Sequence, residues 1–273
     1  MKKKIALVLL AAMAAGVQAA DWSANSVGYR YAPKSIEKGL DPVRKDIFNY
    51  TSITGDKLGT NMFSIDYLKS SEGDPATGKD GKQGAHEYYG FFQRNFSTTK
   101  LTGKQQGFGY FKDINLNLRF DAGSKNTTFG GSPIKFRPGV NFDMPVSAGF
   151  WNVGVDIYKE WNQQGVSAST VPSQVTFDTT LALGSAWSIP VGPGTFGGLV
   201  GIVGPKGKDQ FGAQTETETF IRATYMMGVD GPKSDLQVGA GFDYIRNKFG
   251  NNATSCTKGC TGTTPLLLVQ YAL

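Results

Sequence analysis

Strict alternation of apolar and polar side chains constrains the fold of this chain more than any other feature. From Asp113 to Asp121 the odd positions are Asp, Asn, Asn, Arg and Asp, and the even positions are Ile, Leu, Leu and Phe. Trp151 to Ile157 repeats the pattern, with Trp, Val, Val and Ile separated by Asn, Gly and Asp. A period of two residues is typical of a β-strand with one apolar face and one wet face. The alternation therefore predicts an all-β chain.

About twelve such segments follow one another along the chain, and an even number of strands suits a bacterial barrel. The connections between them mostly alternate in length: residues 70–85 and 247–264 are long and polar, whereas residues 55–60 and 145–148 are short. Short periplasmic turns and long outer loops, with both termini periplasmic, are typical of an outer-membrane barrel. The predicted strands cover residues 23–31, 46–54, 61–69, 86–96, 108–121, 133–143, 149–161, 173–185, 195–204, 214–226, 236–246 and 265–273.

The remaining question is which face of each strand meets water. A soluble sandwich or lipocalin-like barrel also alternates, but its apolar face fills the interior. About twelve strands enclose more space than these apolar side chains would fill, so we expect Leu116, Leu118 and the valines of 149–161 to face lipid. The sequence therefore predicts a transmembrane antiparallel up-and-down β-barrel. Aromatic residues at strand ends are expected to form interfacial girdles. They are Trp22, Tyr31, Tyr67, Trp151, Trp161, Tyr225 and Tyr244.

Residues 1–20 have the layout of a secretory signal peptide that is cleaved. Three lysines precede an apolar run from Ile5 to Val17, and Ala19 and Ala20 follow as small residues at a processing site. The run is shorter than the roughly 20 apolar residues that span a bilayer as a helix. We therefore expect residues 21–273 to form a single outer-membrane β-barrel domain in the bacterial outer membrane.

Charge and residue usage disfavour several function classes. Without the three signal lysines the chain has 25 basic against 22 acidic side chains, a dispersed balance that gives no reason to expect a nucleic-acid partner. His86 is the only histidine, and no serine stands two positions away on its face, so a catalytic triad or a multi-histidine metal site is disfavoured. Cys256 and Cys260 are expected to form a disulfide rather than a metal site, because no histidine or further cysteine accompanies them. We expect no enzyme activity, metal or cofactor.

The predicted lumen is narrow, since eight strands leave an interior filled by side chains and sixteen to eighteen leave a broad pore. Strand parity turns Tyr89, Phe91, Tyr158 and Phe220 inward, where a planar base could stack on them with about 1–3 kcal/mol per base. Charged side chains of both signs share this face and could hydrogen-bond a solute, or could only pair with one another and hydrate the wall. Those predicted to bind are Asp66, Glu87, Arg119, Asp156, Glu218, Arg222 and Asp243.

Three segments carry a resemblance to a known family. Residues 26–31 read Ser-Val-Gly-Tyr-Arg-Tyr, residues 61–69 read Asn-Met-Phe-Ser-Ile-Asp-Tyr-Leu-Lys, and residues 84–92 read Gly-Ala-His-Glu-Tyr-Tyr-Gly-Phe-Phe. With them the chain resembles the Tsx-like nucleoside-specific channel family over its whole mature length. The resemblance implies a twelve-stranded monomeric barrel whose lumen holds nucleosides with aromatic and ionisable side chains. It matches no individual nucleoside-contacting residue.

The leading functional hypothesis is an outer-membrane channel for facilitated diffusion of nucleosides or similar small planar polar solutes. Two alternatives remain open at this stage. One is a general small-solute porin, and the other is a non-conducting structural or receptor barrel with a plugged lumen.

Overall fold

The computed structural model describes residues 20–78, 82–127, 130–163 and 172–273. The predicted signal peptide lies outside the described residues, apart from Ala20. The described chain is almost entirely β, with one short helix, α1 (Thr98–Thr102), and one 3-10 turn (Lys248–Gly250). Among the described residues, no helix is long and apolar enough to cross a membrane. The strands are β1 (Trp22–Ser35), β2 (Val43–Asp56), β3 (Gly59–Ser70), β4 (His86–Ser97), β5 (Asp113–Lys125), β6 (Ile134–Asp143), β7 (Phe150–Gln163), β8 (Gln174–Thr176), β9 (Thr180–Val191), β10 (Gly194–Val203), β11 (Glu218–Gly228), β12 (Leu236–Arg246) and β13 (Gly262–Ala272).

The strands form one closed antiparallel ring. Apart from the short β8, each strand pairs with its neighbours along the chain, and β1 pairs with β13 to close the ring. The three-residue strand β8 pairs with the end of β7, while β9 pairs with the rest of β7, so β8 and β9 together occupy one position. The barrel therefore has twelve strand positions, and the predicted fold class is confirmed. Closure satisfies the backbone hydrogen bonds between strands, which is what a membrane-spanning sheet requires.

Two predicted strands differ from the structure. The strand expected from residue 108 begins only at Asp113, because a turn with Gly109 at a φ of 56° precedes it. The connection from β4 to β5 is therefore long and contains α1, unlike the other connections at that end. The strand expected at 173–185 is split because Asp178 donates its backbone N–H to Lys206 of the β10 to β11 connection. The other predicted strands lie within four residues of the observed bounds.

The two ends of the barrel are built differently. Residues 57–58 join β2 to β3, and Gly192 with Pro193 joins β9 to β10. Gly192 has a φ of 58°, which only glycine adopts readily in so tight a turn. The opposite end carries the longer connections 71–85, 204–217 and 247–261. The end with the short turns also holds both ends of the barrel domain, so it is the periplasmic end.

The outer surface of the barrel is apolar. Leu118 is 38% exposed, and Leu116 on the same strand and Val155 on β7 are exposed as well. Asn117, between the two leucines, is buried in the interior. The predicted lipid-facing side is therefore confirmed. Large apolar side chains lie outside and polar ones inside, which is the reverse of a soluble domain.

Candidate functional site

Four arginine–aspartate pairs line the lumen near the middle of their strands. They are Arg30–Asp66, Arg119–Asp121, Arg137–Asp156 and Arg222–Asp243. In the last three pairs the shortest nitrogen to oxygen distance is 2.7 Å. Arg222 donates two hydrogen bonds to the carboxylate of Asp243. We call these eight residues the lumen belt. It carries four positive and four negative charges, so its net charge is zero.

Strand register explains why the belt needs both signs. Arg119 and Arg137 lie directly opposite each other on β5 and β6, and like charges in this position repel. Each arginine turns to its own carboxylate, Arg119 to Asp121 on the same strand and Arg137 to Asp156 on β7. Asn117 also donates to Asp156 at 2.8 Å. The belt is therefore a fixed network of charge-assisted hydrogen bonds.

Two phenylalanines contribute flat surfaces to the belt. The guanidinium of Arg119 lies 3.9 Å from the ring centroid of Phe91, and that of Arg222 lies 5.5 Å from the centroid of Phe220. Both phenylalanines are partly exposed and belong to different sectors of the barrel, β4 and β11. Each contact is a cation–π interaction that holds a planar guanidinium beside an aromatic ring.

The two tyrosines predicted beside them have another role. Tyr158 is only 2% exposed, and its hydroxyl donates to Glu160 at 2.7 Å. The Tyr89 hydroxyl donates to Asp121 at 2.8 Å and accepts from Lys135 at 3.2 Å. The hydroxyl groups of these tyrosines are thus hydrogen-bonded to charged side chains of the barrel wall. Of the four predicted aromatic residues, the structure thus leaves Phe91 and Phe220 as the ones best placed to meet a solute.

Glu87 and Glu218 lie outside the belt, toward the outer end. Glu218 accepts a hydrogen bond from the backbone of Phe249, whereas Glu87 pairs with Lys45 at 3.0 Å. Glu87 belongs to a cluster of ion pairs that links the first, second and last outer connections to the barrel wall. We call it the mouth cluster. It consists of Glu37, Lys45, Asp74, Glu87, Lys125 and Lys248.

Glu37 is the hub of the mouth cluster and is buried. Its carboxylate contacts Lys45 at 2.5 Å, Lys125 at 3.0 Å and Lys248 at 3.2 Å. Burial alone would raise the pKa of Glu37, but Lys248, Lys45 and Lys125 together hold it well below its ordinary value. The carboxylate therefore stays charged and holds these elements together at the outer mouth.

One sector of the lumen is lined by small and apolar side chains. We call it the smooth wall. It consists of Ala182, Gly184 and Ala186 on β9 and Gly197, Leu199 and Gly201 on β10. A Cβ atom at Gly201 would have nothing within 4 Å, and inward-facing Leu199 is 37% exposed. Open space therefore lies beside Gly201 and Leu199, between the belt residues of β7 and those of β11, whereas Ala182 is buried.

The polar lumen and the apolar outer surface together identify the environment in which the barrel folds. A closed barrel with ion-paired side chains inside and leucines outside fits lipid around it and water within it. The protein is a bacterial outer-membrane β-barrel.

Comparisons with known proteins give barrels of low similarity. No protein-family model and no curated protein matches the sequence. The chain is similar to the translocator domain of autotransporter NalP from Neisseria meningitidis, with 14% identity, a TM-score of 0.41, and coverage of 99% of this chain and 95% of that one. It is also similar to Pseudomonas aeruginosa OpdK with vanillate, with 9% identity, a TM-score of 0.28 and coverage of 93% and 99%. Acinetobacter baumannii OccAB3 has 8% identity, a TM-score of 0.29 and coverage of 92% and 98%. At these values the likenesses assign no function.

His86 and the cysteines lie away from the lumen belt. His86 is on the outward face of β4, where its ring contacts Tyr67 and Lys69. Cys256 and Cys260 form a disulfide in the β12 to β13 connection, with a Cα to Cα distance of 6.1 Å. Within the described ranges, no group of three histidine, cysteine or acidic residues is arranged to hold a metal ion.

Proposed function

We propose that the barrel is a channel for facilitated diffusion of nucleosides or similar small planar polar solutes across the outer membrane. The observation that carries the proposal is the lumen belt, a ring of paired charges with two phenylalanines beside its arginines. We also propose that one barrel is the working unit, because a single chain supplies the whole belt.

The neutrality of the belt favours uncharged solutes. A permeating cation or anion meets arginines and aspartates alternately, so the wall gives neither sign of ion a continuous path. A neutral solute with hydroxyl and amide-like groups can accept from the arginines and donate to the aspartates. Because each arginine already has a carboxylate partner, such a contact is an exchange of hydrogen bonds and is therefore weak.

The phenylalanine–arginine contacts favour planar solutes. A nucleobase stacked on an aromatic side chain gains about 1–3 kcal/mol, while the ribose hydroxyls can reach neighbouring belt residues. Phe91 and Phe220 are partly exposed on the walls that flank the lumen. Binding of this strength concentrates a solute in the lumen and still lets it leave, which a channel requires. The sequence resemblance to nucleoside channels supports the same solute class.

The second candidate function is a general small-solute porin. The observation in its favour is the smooth wall, where Gly201 borders open space and offers no hydrogen-bonding side chain. A solute that passes along this wall alone would be selected by size only.

Liposome swelling separates the two candidates. Purified barrel in liposomes should admit uridine faster than ribose, although uridine is the larger molecule, because the base stacks in the belt. Amino acids of ribose size should enter no faster than ribose. A series in which rates simply fall with solute size would reject selective stacking and leave the general porin.

A further inference from the structure

A row of aromatic side chains crosses the outer surface of β1 to β4. Tyr29, Phe48, Tyr67 and Tyr88 are in direct register on these adjacent strands. Ring centroids are 5.3 Å apart for Tyr29 and Phe48 and 6.5 Å apart for Phe48 and Tyr67. Phe48, Tyr67 and Tyr88 are exposed. Tyrosines on a lipid-facing surface are typical of the membrane–water interface, so this aromatic row marks the outer interface.

Basic side chains lie just beyond the aromatic row, toward the outer end. Lys69 follows Tyr67 by two residues on β3, a rise of about 7 Å along the strand. Its ammonium donates to the carbonyl of Gly84 at 3.0 Å and contacts the His86 ring at 2.8 Å. Neither partner is a carboxylate, so these contacts fix the position of the ammonium without forming an ion pair among the described residues.

Arg44 lies further out on the same surface. Its side chain is 56% exposed, and its one ion pair among the described residues joins Nε to Asp46 at 3.7 Å. Asp46 also accepts a hydrogen bond from Tyr29 at 2.5 Å. The terminal nitrogens of Arg44 are therefore available to an anion that arrives from outside the barrel.

The side chains of Arg44 and Lys69 both line a cleft of about 440 Å³ at the outer rim of the barrel. Three of its lining residues are basic and one is acidic, and two serines add hydroxyl groups. The lining residues are Arg44, Lys69, Ser70, Ser71, Glu72, Lys82, Gln83 and Gly84. Arg44 and Lys69 supply cationic groups to the cleft, although Glu72 and nearby Asp46 offset part of their charge.

We propose that this cleft binds the phosphate of an outer-leaflet lipid headgroup, with the lipid chains lying along the aromatic row. Arginine and lysine are the side chains that bind phosphate best, through charge-assisted hydrogen bonds. Basic clusters beside a membrane surface recognise anionic headgroups. A cleft that holds Arg44 and Lys69 directly above an interfacial aromatic row places both kinds of contact where one lipid molecule can make them together.

A lipid titration of the purified barrel in detergent tests the proposal. The probes are a phosphorylated, acylated glucosamine disaccharide, its dephosphorylated form, and inorganic phosphate. The phosphorylated lipid should raise the melting temperature saturably, and the dephosphorylated lipid should need an at least about tenfold higher concentration, since a charge-assisted hydrogen bond is lost. The double variant Arg44→Gln/Lys69→Gln should lose the difference between the two lipids.

The matched control removes two exposed lysines elsewhere. Lys57→Gln/Lys233→Gln changes the net charge equally, at two periplasmic turns at the opposite end of the barrel from the cleft. It should keep the preference for the phosphorylated lipid. Equal half-saturation by both lipids, or an unchanged preference in the cleft variant, would overturn the proposal. Stabilisation by inorganic phosphate equal to that by the lipid would also overturn it, because the cleft would then be a site for free phosphate.

Discussion

Replacing Leu118 with arginine should destabilise the barrel by about 2–4 kcal/mol, whereas the same change at Leu199 should cost much less. The two leucines have nearly the same exposed fraction, 38% and 37%, and both lie near the middle of a strand. Leu118 faces outward beside Leu116, and Leu199 faces inward, in register with Arg222. An arginine at the first position enters hydrocarbon. At the second it enters a wet lumen, where repulsion from Arg222 costs at most about 1 kcal/mol.

Equilibrium unfolding by denaturant in lipid vesicles measures this difference directly. Since residue type and exposed fraction are matched, the comparison isolates the effect of the surrounding medium, which is lipid for Leu118 and water for Leu199. Similar losses of stability in Leu118→Arg and Leu199→Arg would show that the two faces share one environment, as in a soluble sandwich, and would contradict the assignment of lipid and lumen.

Replacing Gly201 with tryptophan should abolish most solute flux through the barrel. A Cβ at Gly201 meets nothing within 4 Å, so the indole would extend into the open space beside the smooth wall. Gly201 lies in register with Gly184 on one side and Phe220 on the other. A barrel of twelve positions has a narrow lumen, so one large side chain fills much of the passage.

Val200→Trp is the matched control, because Val200 is the next residue on β10 and faces lipid, where a large apolar side chain does not obstruct the lumen. Single-channel conductance and liposome swelling should both fall in Gly201→Trp and stay near the parent value in Val200→Trp. Unchanged conductance in Gly201→Trp would mean that solutes do not pass beside the smooth wall.

Alternation in the sequence predicts which face a residue occupies, because the strand period is fixed at two. Leu118 and Asn117 were therefore assigned correctly to the outer and inner faces. The alternation does not predict whether a solute can reach an inward-facing side chain, since that depends on contacts with residues from other parts of the chain. Tyr158 and Phe220 share the inward face, yet Tyr158 is closed off by its bond to Glu160 and Phe220 remains partly open.

The roles of residues in the connections could not be predicted from the sequence for a related reason. Glu37 lies in an irregular segment, and its importance arises from three lysines, two of which, Lys125 and Lys248, are distant in sequence. The split between β8 and β9 likewise depends on a backbone contact with Lys206. The smooth wall did leave a signal in the sequence, namely small residues at every second position of β9 from Ala182 to Ala186, and Gly197 and Gly201 on either side of Leu199 on β10.

The most direct test of nucleoside selectivity is the ion current through single reconstituted barrels during addition of uridine. Uridine should block the current saturably at concentrations at which ribose has no effect. Phe220→Ala should weaken the block by the loss of one stacking contact, about 1–3 kcal/mol, and leave the open conductance nearly unchanged. Ile221→Ala, on the lipid side of the same strand, should change neither. Equal block by uridine and ribose, or a Phe220→Ala barrel that uridine blocks as strongly as the parent, would contradict selective binding of nucleosides in the lumen belt.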